Sequence, residues 1–373
     1  MSHPAPPASP TSSRRRRQIG FALAALALPF VTIFAVSLHY ERSSGGACAS
    51  CHEIWQPYSD WHSSSHRNVK CSECHGDVFT LDAGFHLNNM RRVFTHLRGK
   101  APESPKLRTA DVLKMVDRCE KCHQAEYADW HASAHSTTYR RIFLNTDHNS
   151  REILMDDCLR CHGMHFQGPM RDLVTPLNTT GPWQLRNASL ADQPAIPCLS
   201  CHQIHHEGLP LQKHADDAKT IPGSQQELTR PSVGLFDRRE LRQVSISELP
   251  MPKMFEGERA VKNSPDQRQS LCYQCHAPLP TSQVRSGDDR TPIGVHEGLS
   301  CMSCHGKHGM QTRASCSTCH PRLSNCGLDV EKMDTTFKDK NSNHNIHFVK
   351  CIDCHTKGVP KKKLQSATVA DPM

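Results

Sequence analysis

Nine copies of the pentapeptide Cys-x-x-Cys-His run through this 373-residue chain and use eighteen of its nineteen cysteines. The pairs are Cys48 and Cys51, Cys71 and Cys74, Cys119 and Cys122, Cys158 and Cys161, Cys198 and Cys201, Cys272 and Cys275, Cys301 and Cys304, Cys316 and Cys319, and Cys351 and Cys354. A histidine follows each pair at once: His52, His75, His123, His162, His202, His276, His305, His320 and His355. At this spacing two thiols can add across the vinyl groups of a haem while the next imidazole ligates the iron from the proximal side. Zinc ribbons do not require a histidine after every second cysteine, and a disulfide framework would not repeat one five-residue pattern nine times. The sequence therefore predicts nine covalently attached haem c groups. Cys326 stands outside the pattern, six residues after His320. A free buried thiol, a haem ligand and half of an intermolecular disulfide are the roles open to it.

One haem for about every 41 residues leaves little chain for an ordinary aliphatic core. Aromatic residues make up 6% and hydrophobic residues 36% of the chain, which is low for a globular protein. The expected fold is mostly α with much irregular loop, the polypeptide wrapping packed porphyrins as short helices and turns. The 25 prolines and 20 glycines fit that picture. The formal charge of +8 is nearly cancelled by nine haems, each adding roughly −1 when its propionates are ionised and its iron is ferric. Nucleic acid is thereby excluded as a partner.

Residues 19–38 form an apolar run without a charge, preceded by four arginines at 14–17. About 20 such residues cross a bilayer as a helix, and the flanking arginines keep the N-terminus in the cytoplasm. The expectation is a single-pass anchor in the inner membrane with the bulk of the chain in the periplasm, where bacteria attach haem c. The alternative is a cleaved secretory signal, whose apolar stretch is normally shorter. The chain then reads as a basic tail (1–17), an anchor (18–39), a four-haem module (45–165), a linker region (166–271), a second four-haem module (272–356) and a flexible tail (357–373). The linker region holds the fifth motif at 198–202 and a 69-residue excursion without an attachment site. That excursion either contacts a partner or forms a belt over haem edges.

A repeat follows two of the motifs: Tyr58-x-Asp60-Trp61-His62-x-Ser64-x-His66 and Tyr127-x-Asp129-Trp130-His131-x-Ser133-x-His135. It predicts a helix leaving each motif, with its final histidine reaching another haem's iron, and argues for duplication of a haem-pair module. A low-spin haem takes a second axial ligand. His66 and His296 precede the next motif cysteine by five residues and His347 by four. His165, His205 and His308 follow a motif histidine by three. With His135, these seven are the predicted distal ligands. His86, His96, His148, His206, His214 and His344 compete for the remaining places, while His3 and His39 flank the anchor. Two histidines per iron close both faces and favour the ferric state.

Residues 14–165 resemble the NapC/NirT/NrfH family of membrane-anchored periplasmic cytochromes. The resemblance rests on the basic start, the single apolar run, the Cys48–His52 motif soon after it, the stretch Ser64-x-His66-Arg67-x-Val69-Lys70-Cys71, and the segment NNMRRVFTHLRG. It implies electrons drawn from menaquinol or ubiquinol, or from a quinol dehydrogenase, and passed to a periplasmic redox partner or an outer-membrane acceptor. Two positions depart from the family. Ile54 stands where the family often has a ligating methionine. Phe85 or His86 and Arg92 stand where some members carry the lysine and aspartate that serve the quinol. From about residue 195 onward the similarity is to multihaem cytochromes in general. The alternative function is a terminal reductase of nitrite, hydroxylamine or tetrathionate with one open haem face, the first haem being the natural place for it. No Cys-x-x-Cys-Lys marks such a site.

Overall fold

The computed structural model describes residues 11–43, 45–76, 83–101, 107–205, 233–278, 281–286, 289–308, 316–323, 327–336, 339, 341–355 and 357. Cys326, His206, His214, His3 and nearly all of the predicted C-terminal tail lie outside the described residues. The chain divides into two compact units, Met1–Leu107 with Ile204–Pro210, and Arg108–Gln203 with Leu211–Met373.

The first unit opens with α1 (Thr11–Arg42). Its segment Arg16–His39 contains an 18-residue stretch with a mean hydropathy of 2.4 and none of that stretch buried, so by length and composition it could cross a bilayer or serve as a signal sequence. Helices α2 (Gly46–Ala49), α3 (His52–Ser63), α4 (Cys71–His75) and α5 (Ala83–Leu97) follow. Gly45 sets the entry to the first motif. Its φ of +87° is a left-handed conformation open to glycine at little cost, and a Cβ there would lie 2.9 Å from the Cys71 sulfur. The chain entering the first motif thus passes against the second. Helix α5 is amphipathic with its apolar side outward: Leu87, Met90, Val93, Phe94 and Leu97 are between 54% and 75% exposed. Asn88, Asn89, Thr95 and His96 lie half-buried.

The second unit contains α6 (Thr109–Glu120), α7 (Gln124–His131), α8 (Tyr139–Phe143), α9 (Thr146–Asn149), α10 (Met170–Leu173), α11 (Gln269–His276) and α12 (Cys351–Cys354). Helix α6 buries Val112, Leu113, Met115 and Val116 at the three- and four-residue spacing of a single helical face. Side-chain caps start the shorter helices: Thr138 accepts the Arg141 N–H and Asn145 accepts the His148 N–H. Three antiparallel hairpins are added, β1 (Val174–Thr175) with β2 (Gln184–Leu185), β3 (Gly234–Asp237) with β4 (Arg242–Ser245), and β5 (Phe255–Glu256) with β6 (Arg259–Ala260).

The helix-and-loop expectation holds in outline, but the expectation that the chain builds no apolar core needs correction. Leu113, Tyr139, Phe143, Leu154, Leu159, Met170, Leu173, Val174, Leu190 and Ala195 form one buried cluster. Met254, Val261, Tyr273, Ala277 and Ile293 form a second. Most of these residues come from stretches between motifs, where the chain is long enough to fold back on itself. The described part of the excursion also packs on motif-bearing chain. Gly234 donates its N–H to the Cys201 carbonyl at 3.0 Å, and Arg238 hydrogen-bonds the Gly168 carbonyl.

Candidate cofactor-binding sites

Eight of the nine motifs are each built on a single helical turn. The histidine N–H donates to the carbonyl of the first motif cysteine from His123 to Cys119 (2.9 Å), His162 to Cys158 (3.0 Å), His202 to Cys198 (3.0 Å), His305 to Cys301 (2.9 Å), His320 to Cys316 (2.9 Å) and His355 to Cys351 (2.8 Å). The motifs at 71–75 and 272–276 lie inside α4 and α11. Residues three and four apart share one side of a helical turn, so the turn presents two sulfurs and an imidazole together. The first motif is different. Cys51 is extended, with φ −96° and ψ 132°, and His52 opens the new helix α3.

Among the described residues, six motif histidines face a histidine from outside the motifs. In the first unit the ring centroids of His75 and His205 are 5.9 Å apart and those of His52 and His96 are 5.4 Å apart. In the second unit the pairs are His135 with His276 at 6.2 Å, His202 with His308 at 6.0 Å, His296 with His320 at 6.4 Å and His305 with His347 at 6.0 Å. Metal–imidazole bonds of about 2 Å on each side, with about 1.1 Å from each nitrogen to its ring centre, put two such centroids roughly 6 Å apart. The spacing is therefore that of two imidazoles sharing one iron, and the residues present fit a haem.

The second ring nitrogen supports the same fit. His205 Nδ1 lies 2.6 Å from the Pro57 carbonyl, His296 Nδ1 3.2 Å from the Ile346 carbonyl, and His347 Nδ1 3.0 Å from Asn345 Oδ1. A hydrogen bond at Nδ1 fixes the tautomer and leaves Nε2 for a metal. Burial pushes His135 and His308 below the ordinary histidine range, and His165 and His347 down to about 4. These rings stay neutral, the state in which imidazole ligates.

Of the seven histidines predicted from spacing, five therefore stand opposite a motif histidine: His135, His205, His296, His308 and His347. The other two are placed differently. His165 stacks on Phe236 with ring centroids 4.1 Å apart, and its buried Nε2 has no hydrogen-bond partner. His66 is half-buried, its ring nitrogen 3.4 Å from Ser65 Oγ. Among the competing histidines, His96 is brought to a motif. His344 Nδ1 lies 3.1 Å from the Asp334 carbonyl, and His148 Nε2 lies 3.7 Å from Glu152 Oε2.

The internal repeat folds twice into the same local structure. Trp61 Nε1 donates to the Val69 carbonyl at 3.1 Å and Trp130 Nε1 to the Ile196 carbonyl at 3.2 Å. Ser64 Oγ donates to the Trp61 carbonyl and accepts the His66 N–H. Ser133 Oγ makes the same two bonds with the Trp130 carbonyl and the His135 N–H. A buried hydroxyl thus fixes the backbone that carries each terminal histidine.

Motifs distant in sequence also meet through their cysteines in the second unit. The thiols of Cys119 and Cys198 hydrogen-bond one another, as do those of Cys161 and Cys275 and those of Cys272 and Cys301. Burial pushes the nearby Cys201 thiol up to about 12. Spatial order is therefore not sequence order: the third motif adjoins the fifth, and the sixth adjoins both the fourth and the seventh.

Repeated turns that each offer two sulfurs and an imidazole, with opposed histidines one iron apart, support a multihaem c-type cytochrome. Residues 255–321 match cytochrome c7 and related cytochrome c. Residues 118–178 match cytochrome c554 and c-prime. Both matched segments lie in the second unit, and both families imply covalently bound haem and electron transfer. Neither is the NapC/NirT/NrfH family that residues 14–165 resemble. No curated protein and no solved structure matches the chain.

Proposed function

We propose that this chain is a membrane-anchored nonahaem cytochrome that takes electrons from the quinol pool, or from a quinol dehydrogenase, and relays them to a periplasmic or outer-membrane acceptor. The observation that carries the reading is the set of six opposed histidine pairs. Haem c supplies a one-electron ferric/ferrous couple when bound. The chain's own residues would do the rest: at the paired sites the opposed histidines would hold an iron on both faces and leave no coordination position for a substrate, and burial and Nδ1 hydrogen bonds would set the potential. Contacts between cysteines of different motifs would bring the attached haems close to one another, which suits a relay better than a single reaction centre.

Two features support the membrane. Helix α1 has the length and hydropathy of a span. In the same unit α5 turns five large apolar side chains outward, with Arg91, Arg92, Arg98 and Lys100 on or just beyond it. An exposed apolar face with basic residues beside it suits the headgroup region of an anionic bilayer.

The test is anaerobic mixing of the oxidised, detergent-solubilised protein with a menaquinol analogue while the haem α-band is followed. Reduction within milliseconds to seconds, blocked by a quinol-site inhibitor, is the expected result. Failure to reduce while dithionite still works would overturn direct quinol oxidation and leave a partner protein as the donor.

A further inference from the structure

The first motif is where the resemblance leaves an iron face open, because Ile54 replaces the family's methionine. The structure fills that place from another direction. The imidazole of His96, in the last turn of α5, stands with its centroid 5.4 Å from that of His52, the two rings tilted by 46°. Its Nδ1 lies 2.5 Å from Glu53 Oε1. Glu53 is the second residue of α3 and only 8% exposed, an unusual place for a carboxylate unless it is paired. The same oxygen is 3.4 Å from His52 Nε2.

We infer that His96 is the second axial ligand of the first haem and that Glu53 is the positioning residue that turns it to the iron. This rests on the haem c reading of the Cys48–His52 motif. With Nδ1 engaged by the carboxylate, His96 has only Nε2 left for a metal, the arrangement in which ligating histidines are commonly held. The ring faces a motif histidine, as in the five other pairs. Cys51, Glu53 and His96 also lie close enough together to hold a small ion, but Cys51 belongs to the thioether, which leaves the glutamate and the histidine to serve the haem. His96 is reached across 43 residues from Glu53, so none of the short offsets that mark the other ligands points to it. One consequence bears on function. With both faces taken, the first haem has no substrate position, and the reductase alternative loses its natural site. A carboxylate on Nδ1 also makes the imidazole more basic, which stabilises the ferric state.

The experiment uses the full-length, haem-loaded protein in detergent, with haem content measured by mass and spin state by electron paramagnetic resonance and resonance Raman spectroscopy. The wild type is expected to show the first haem six-coordinate and low-spin. His96→Ala should convert one haem in nine to a high-spin ferric form, and added imidazole should restore it. Glu53→Gln should leave the spin state unchanged and raise the potential of one haem in a spectroelectrochemical titration. Thr95→Val, next to His96 on the same helix, should change neither. A wild-type first haem that is high-spin overturns the inference without any variant. So does a His96→Ala protein with full haem content and an unaltered low-spin spectrum. A protein without covalent haem at Cys48 and Cys51 would instead overturn the cofactor reading beneath it.

Discussion

Ser64 and Ser133 show how a single hydroxyl serves a distant cofactor. Each is buried, donates to a tryptophan carbonyl and accepts the N–H of the residue two positions on. Removing such a hydroxyl takes away the acceptor of the histidine N–H, while the tryptophan carbonyl keeps the serine N–H, at a cost of about 1–3 kcal/mol. Ser133→Ala should therefore lower stability by about that much in denaturant unfolding of the haem-loaded protein, and should broaden the low-spin signal of one haem as His135 loosens. An unfolding midpoint and spectrum equal to wild type would show that the serine is dispensable. At this scale the sequence was informative wherever a ligand sits at a short, fixed offset from a motif. His205 and His308 are three residues beyond a motif, and His296 and His347 are four or five before one. His96 could not be read that way, because only the docking of α5 on α3 brings it to His52. Nor does its offset foretell that His165 stacks on Phe236.

Elements are tied to one another by charge as well as by cofactor. Glu256 in β5 pairs with Arg259 at 2.8 Å and with Lys350, the residue before the last motif, at 2.5 Å. Arg259 in turn reaches Glu297, beside His296, at 2.8 Å. These bonds hold the Glu256 carboxyl down to about 2, against 4.5 for an unperturbed glutamate. The folded state binds that proton more weakly than the unfolded state does. The stability it contributes is therefore present above about pH 4.5 and is lost as the pH falls toward 2. Glu256→Gln should flatten the acid limb of a stability–pH curve over that interval and leave the neutral plateau only slightly lower, since exposed pairs contribute little. An acid limb that keeps its slope would place the acid sensitivity elsewhere. The hairpins that carry this network were not legible in the sequence. Strands of two to four residues give too short an alternation to stand out, and their positions follow from what they pack against.

On the scale of the whole molecule, the membrane reading makes a demand that α1 alone does not. If α5 also lies in the headgroup layer, a chain lacking residues 1–42 should still sediment with vesicles rich in phosphatidylglycerol. Combining Leu87→Glu with Val93→Glu should abolish that binding with haem content unchanged. Equal sedimentation of the two forms would mean that the exposed apolar face serves something other than lipid. The broad architecture, short helices and long irregular connections, followed from motif density. The two apolar clusters did not, because density averaged over the chain conceals the motif-poor stretches that can fold on themselves.

The opposed histidines also have a temporal side. His75 awaits His205, His276 needs His135, and His202 awaits His308, so ligand and motif in these pairs are separated by more than a hundred residues. A chain exported from its N-terminus and fitted with haem as it emerges would carry its second and fifth haems with one face bare until the later segments arrive. During that interval a finished electron carrier is a set of open irons, able to bind small ligands or react with oxygen. Such a chain would call for biosynthesis that is fast, chaperoned or anaerobic, because the protection of these early haems is written more than a hundred residues further along.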